Sequence, residues 1–381
     1  MREKKHRVSS RVLPMAALAW IIFATGAQAQ QFGAQESFVE IHGYADLTYF
    51  DFQKEGDPVL PFTDGGGIPT FDNNHIALFF GANVSQNLKF VSEFHYEHSI
   101  EEPELPQANI QWRLAKPLTV TMGRFWLPFG SLGRDKIYTP TNELVSYPYT
   151  SSQFLPFHNA DNGVRIGGSF EIVGFEVAVT NGFAGLDEEG GTVLRGLAQD
   201  NNQNKRMTGR VTLMPVKGLE VGGSYTSGAW DDDSDADITF WGLDAEMRMG
   251  ALSLEAEYAA GKIENPAGAF ATVNGAPSLL SDNFGALAVG DSDRSAYYLQ
   301  AMYRVLSRKM NMEALDVIIR YDGFTRDRPL DAGDRARLTA GINVTPQPHF
   351  HLKAEYQKVS EPGDQPGAKN NGIMAQAVVD F

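Results

Sequence analysis

Leu252-Ser253-Leu254-Glu255-Ala256-Glu257-Tyr258 alternates apolar and polar side chains at every step. A period of two places Leu252, Leu254, Ala256 and Tyr258 on one face of an extended chain and Ser253, Glu255 and Glu257 on the other. The pattern recurs at Phe350, Leu352, Ala354 and Tyr356 against His351, Lys353, Glu355 and Gln357, and at Ile110, Trp112 and Leu114 against Asn109, Gln111 and Arg113. Leu118, Val120 and Met122 against Thr119, Thr121 and Gly123 repeat it again. From Phe38 onward, segments of about ten residues follow one another between turn-forming residues, the pattern of a transmembrane β-barrel.

A soluble β-sandwich also alternates, so the connections decide between the two. Short ones recur at Ser85 to Asn87, Ala115 to Pro117, Ile172 to Gly174, Met214 to Gly218, Met249 to Ala251 and Thr345 to His349, with a slightly longer one near Ser307 to Asn311. Between them lie long connections at about 53 to 71, 99 to 105, 125 to 160, 182 to 205, 228 to 237, 262 to 293, 323 to 334 and 359 to 370. Strict alternation of short and long puts all the long loops at one end, which a barrel does and a sandwich has no reason to do. About sixteen strands are expected, all-β and antiparallel, enclosing an aqueous lumen.

The two ends of the chain agree with a membrane destination. Arg2, Lys4, Lys5, Arg7 and Arg11 precede the apolar stretch Val12 to Ala24, and Ala27-Gln28-Ala29 offers small residues for cleavage, so residues 1–29 are expected to be a secretory signal and residues 30–381 the barrel. No later segment has eighteen consecutive apolar residues, which leaves a closed sheet as the means of spanning. At the far end Ile373, Ala375, Ala377, Val379 and Phe381 are apolar at every second position, and the terminal Phe381 is similar to the signal read by the outer-membrane assembly machinery. The bacterial outer membrane is the expected location, with its lipid and lipopolysaccharide as surroundings.

The chain carries a formal charge of -15, and losing five basic residues and one acid with residues 1–29 takes it to -19. That balance argues against nucleic acid as a partner, because neutralising phosphates needs a clustered basic surface. The absence of cysteine removes thiol catalysis, thiolate metal sites and c-type haem attachment. No cofactor is expected. Asp231, Asp232, Asp233, Asp235 and Asp237 lack a defined calcium-loop spacing and are read as a solvated external loop. Tyr44, Tyr49, Phe94, Tyr96, Trp112, Tyr225, Trp241, Tyr258, Tyr297, Tyr303, Tyr321 and Tyr356 fall mostly on the outward face, as interfacial girdles or as ordinary sheet aromatics.

The connection from Phe125 to Ala160 is the longest and is rich in Phe, Tyr, Trp and Pro. Trp126, Leu127, Phe129, Phe154, Leu155 and Phe157 would form a large apolar patch if solvated, so the loop is expected to fold inward and narrow the lumen.

Here the sequence resembles a family. Gly123-Arg124-Phe125-Trp126-Leu127-Pro128-Phe129-Gly130, followed by Asp161-Asn162-Gly163-Val164-Arg165-Ile166-Gly167-Gly168 on the returning strand, is similar to the phosphate-selective porin O and P family. The resemblance implies a sixteen-stranded barrel, a homotrimer and small anionic solutes, and the loop follows about the fifth strand, the position of the constriction loop in general porins. Members of that family line the pore with basic residues. Here Arg113, Arg165, Arg210, Arg248, Arg304, Arg320, Arg335 and Arg337 share the inward face with Glu40, Asp46, Glu93, Glu97, Glu220, Asp244, Glu246, Glu255, Glu257, Asp316, Asp322 and Glu355. Such opposed charges either set up a transverse field across the constriction or pair with one another. Arg124, Arg134, Asp135, Lys136 and Glu143 on the loop complete the candidates.

Two other functions compete with a pore. An enzyme barrel would need a histidine beside a nucleophile or an acid. His42, His75, His95, His98, His158, His349 and His351 are available, but in the densest group alternation separates His95 from His98. A barrel that sheathes or docks a partner protein, in export or electron transfer, would have no packed inward loop. The position of residues 125–160 therefore discriminates.

Overall fold

The computed structural model describes residues 39–53, 68–73, 75–97, 103–131, 137–154, 159–184, 195–196, 200, 202–231, 234–264, 271–273, 276–278, 281–282, 285–286, 291–309, 312–326, 334–360 and 370–381. The expected signal segment, the loop charges Arg134, Asp135 and Lys136, and His98, His158, Asp232 and Asp233 lie outside the described residues.

Sixteen strands close into one antiparallel barrel. They are β1 (Val39–Phe52), β2 (His75–Ser85), β3 (Leu88–Glu97), β4 (Pro103–Ala115), β5 (Leu118–Trp126), β6 (Ala160–Phe170), β7 (Val173–Thr180) and β8 (Arg206–Val216). The second half comprises β9 (Leu219–Ala229), β10 (Asp237–Met249), β11 (Leu252–Ile263), β12 (Ser292–Lys309), β13 (Met312–Arg326), β14 (Arg335–Gln347), β15 (Phe350–Ser360) and β16 (Gly372–Asp380). Each strand pairs with its neighbours in sequence, and β1 closes the ring by pairing with β16 from Tyr44↔Asp380 to Phe52↔Gly372. The short piece Thr70–Asp72 extends the β2 edge of β1.

The period of two becomes two chemically distinct walls. Leu243, Leu299, Ile319, Tyr303 and Tyr356 stand exposed on the outside, while Asp244, Gln300, Arg320, Arg304 and Glu355 alternate with them on the inside. An outer wall of this kind suits an apolar solvent, because the strand ladders pair backbone amides with carbonyls of the neighbouring strands. Most of the expected outward aromatics are there, with Trp241 5.4 Å from Tyr258 and Tyr297 6.0 Å from Tyr321. Tyr44 is a correction: it is only 3% exposed. The outward parity of β1 belongs to Val39, Ile41 and Leu47, which leaves Tyr44, Asp46 and Thr48 inside.

Tight turns join strands at one end. Some place a residue in the left-handed region, and Gly218 (φ 87°) and Gly250 (φ 60°) do so without the steric cost of a Cβ. Glu171 (φ 49°) and His349 (φ 65°) adopt the same region with a side chain, and His349 Nδ1 is 2.8 Å from Asp380 Oδ2. At the same end Gly43 and Phe381 exchange two backbone hydrogen bonds of 2.9 Å, and the Phe381 ring occupies the space that a Cβ on Gly43 would take.

Candidate channel constriction

The described parts of the loop between β5 and β6 lie inside the barrel. Its base is closed where Leu127 N donates to Asn159 O at 2.7 Å, continuing the ladder beyond Trp126↔Ala160. Leu127, Phe129, Tyr149 and Phe154 then form one buried cluster with wall residues that include Ala178, Ile238, Phe240, Ala259, Ala296 and Phe324. The Phe154 and Phe240 rings are 4.8 Å apart. Burying each large side chain contributes roughly 1.5–3 kcal/mol, which explains why so apolar a connection turns inward. Residues Thr150–Phe154 form a short π-helix within this contact.

Polar anchors fix the loop at three further places. On one side Gly130 N donates to Ser224 Oγ (3.1 Å), and Ser131 donates to Glu257 Oε2 through Oγ (2.8 Å) and N (3.3 Å). Gly130 has φ 71°, and Glu257 fills the space beside its Cα.

The second anchor sits on β13, β14 and β15 and uses a simple division of labour. Wall cations take loop carbonyls: Arg320 Nη1 donates to Ser146 O (2.9 Å), Arg337 Nη2 to Tyr147 O (2.6 Å), and Lys353 Nζ to Thr139 O (2.5 Å) and Asn142 O (2.6 Å). Wall carboxylates take loop N–H groups: Glu355 accepts from Val145 (2.7 Å) and Ser146 (3.2 Å), and Asp322 from Tyr149 (3.1 Å). Arg337 also pairs with Asp322 (2.6 and 3.1 Å) and lies 4.4 Å over the Tyr149 ring. Leu144 drops into a niche that exists because Gly341 has no side chain, a Cβ there falling 2.5 Å from Leu144 Cδ2.

The third anchor is Tyr138, against β2, β3 and β4. Its hydroxyl donates to Glu93 Oε2 (2.9 Å) and accepts from Trp126 Nε1 (3.0 Å) and Gln107 Nε2 (3.1 Å), while its ring meets Phe79 edge-on at 5.0 Å. Burial, with the Glu93 charge beside it, raises the phenol above its ordinary range and keeps it protonated. Next to it Thr139 Oγ1 is 3.5 Å from His75 Nδ1, itself 2.8 Å from Asp46 Oδ2.

The sequence-predicted residues therefore divide. Arg320, Arg337 and Glu93 hold the loop, and Glu143 lies on it, accepting from Gln300 Nε2 (3.3 Å). Arg165 reaches the loop base, donating to Trp126 O (3.2 Å) 5.0 Å from the Phe125 ring centre, and pairs with Glu176 at 3.5 Å. Arg124 stands at the same base opposite Ala108 and Asn162, its carbonyl accepting from Asn109 Nδ2. Arg210 forms a two-pronged pair with Asp244 (2.5 and 2.7 Å) and also donates to Ser224 Oγ (3.1 Å), the hydroxyl that accepts from Gly130 N, so it supports the first anchor; Glu255 is buried on the inner face of β11. Arg113, Arg248 with Glu246 (2.5 Å), and Arg304 with Asp316 (2.8 Å) lie towards the tight-turn end and do not join the loop.

Other residues at the anchors stand out less in the sequence. Lys353, Glu355 and Asp322 carry a usable signal, being charged residues at inward parity. Tyr138 carries none, because its position depends on the path of an irregular loop.

Three comparisons bear on this architecture. Residues 15–314 match the family model described as Gram-negative porin. An uncharacterised protein of Aquifex aeolicus (strain VF5) is 24% identical, over 89% of this chain and 79% of that protein. Among solved structures, the anion-selective porin from Comamonas acidovorans is similar in fold (TM-score 0.60, 12% identity, 91% of this chain and 100% of that one). So are the outer membrane channel DcaP of Acinetobacter baumannii (0.58, 14%, 93% and 100%) and the trimer form of OmpT from Vibrio cholerae (0.56, 12%, 91% and 100%). With a closed sixteen-strand barrel and a family match across most of its length, the chain belongs to the Gram-negative porins of the bacterial outer membrane.

Proposed function

We propose that the protein is a water-filled channel for passive diffusion of small hydrophilic solutes, with residues 125–160 as its constriction. The observation that carries this reading is the inward loop, held from several sides by wall residues that have opposite charges and matching roles. A loop so placed occupies the space that a sheathed partner protein would need, which favours the channel over the docking alternative. No reaction is assigned to it.

Phosphate-like anions are among the proposed solutes. The family resemblance implies them, and one structural neighbour is named an anion-selective porin. Of the arginines proposed to draw them, Arg248 and Arg304 are well exposed towards the tight-turn mouth, whereas Arg320 and Arg337 are engaged by the loop. The reading includes removal of residues 1–29 on export, recognition of Phe381 by the assembly machinery, contact with lipid and lipopolysaccharide, and assembly as a homotrimer. The trimer form of a structural neighbour supports the last.

Reconstitution of the purified protein into planar bilayers tests the reading. Stepwise conductance is expected, with a reversal potential in asymmetric salt that reports the anion-to-cation ratio. Folded protein that inserts and passes no current would overturn it.

A further inference from the structure

The inner wall between β4 and β9 carries a recess of about 420 Å³ on the tight-turn side of the loop base, within the range of roughly 300–1,000 Å³ usual for small-molecule sites. Its charges are already matched and lie flat. The Arg210–Asp244 pair crosses directly over Gly222, where a Cβ would come within 2.5–2.7 Å of both partners. Glu176 likewise folds over Gly167, its Cγ 3.0 Å from a Cβ position there, to approach Arg165. These glycines let the ion pairs lie against the wall without projecting into the lumen.

One further carboxylate, Glu220, lies at the rim 3.8 Å from Arg210, and the other polar groups are neutral. Thr119, Thr121, Ser169 and Thr212 line the recess, and their hydroxyls have no hydrogen-bond partner among the described residues. Gln111 gives one N–H to Asn109 Oδ1 at 3.2 Å and keeps its amide oxygen as an acceptor. Hydroxyls act as donor and acceptor alike, whereas phosphate recognition calls for fixed cationic donors.

Resting on the channel reading above, we propose that this recess is a binding station for a small uncharged, hydroxyl-rich solute such as a sugar. The solute exchanges hydrogen bonds with the four hydroxyls and Gln111, and the paired charges leave little net field to favour an anion.

Single channels of the whole chain in potassium chloride, titrated with glucose and separately with inorganic phosphate, test the assignment. Glucose is expected to lower the current along a saturating curve, and phosphate is not. The Thr119→Val/Thr212→Val double variant should raise the half-saturating glucose concentration about fivefold relative to its own sugar-free current, while Thr119→Ser/Thr212→Ser keeps it within about twofold. A glucose effect no larger than its effect on bulk conductivity overturns the site, as does equal affinity in the valine variant or saturable block by phosphate. Channels that conduct but show no saturable block overturn the site alone; folded, inserted protein that never conducts overturns the channel reading with it.

Discussion

Glu355 accepts the backbone N–H of Val145 at 2.7 Å, across 210 residues of sequence, and so ties the middle of the loop to the barrel wall. The same carboxylate also accepts from Ser146. Replacing Glu355 with Ala leaves two buried amides without an acceptor, at about 1–3 kcal/mol each. Single-channel records of Glu355→Ala should show frequent current substates as the loop loosens. A trace as quiet as that of the unchanged protein would show that this anchor does not restrain the loop.

Arg337 is the partner that makes a buried Asp322 tolerable. Arg337→Met leaves that carboxylate short of its main donor and should cost about 3–5 kcal/mol in urea unfolding of the detergent-solubilised barrel. The double variant Arg337→Met/Asp322→Leu removes both charges and should lose less than the single one. Equal losses would mean that the charge pair is not the source of the effect.

Gly222 is needed because the Arg210–Asp244 pair lies over it. Gly222→Ala should push the pair off the wall and free the Arg210 guanidinium, raising anion relative to cation permeability by about twofold, roughly 0.4 kcal/mol. Gly223→Ala is the control, since its nearest neighbour would be an ordinary 3.6 Å away, on Leu243. An unchanged reversal potential in Gly222→Ala would leave the pair without a role in selectivity.

Phe381 and Gly43 are a matched pair at the closing seam. Gly43→Val should displace the phenyl ring and lower the yield of folded barrel several-fold, read as the heat-modifiable band on a gel; overpacking of this kind typically costs about 1–3 kcal/mol. Normal yield would mean that the ring can sit elsewhere without loss.

Tyr138 gives the loop an alkaline limit. Its folded-state pKa lies above that of the free phenol, so the associated stability is complete below about pH 10 and falls as the pH rises past that value. The urea midpoint should therefore decline at alkaline pH in the unchanged protein more steeply than in Tyr138→Phe. Parallel curves would remove Tyr138 as the cause.

Much of this architecture is legible in the sequence because a barrel strand carries one message in every second residue. Leu252 to Tyr258 already separates Glu255 and Glu257 from the outward face. Lys353 and Glu355 share the inner parity of β15 because they alternate with Leu352, Ala354 and Tyr356. The turn at Gly218 and the length of the loop after Trp126 are legible for the same local reason. Parity does not say what an inward charge will touch. Arg320 and Arg248 look alike in the sequence, yet one grips Ser146 and the other stands near the tight turns beside Glu246. Tyr44 escapes the pattern because an aromatic residue suits either wall, and only the exposure of Ile41 and Leu47 fixes the parity of β1. The anchors on Tyr138 and Lys353 depend on loop geometry that no period encodes.

The pairing of β1 with β16 joins positions as distant as Thr48 and Gln376. Ring closure is therefore among the longest-range contacts in the chain, and such contacts form slowly because a large loop must be ordered before they give any return. Until it forms, the sheet has two raw edges, each offering unpaired amides to any other strand that drifts near. The last strand thus protects as well as closes, because a chain without it would keep both edges open to other unfinished copies.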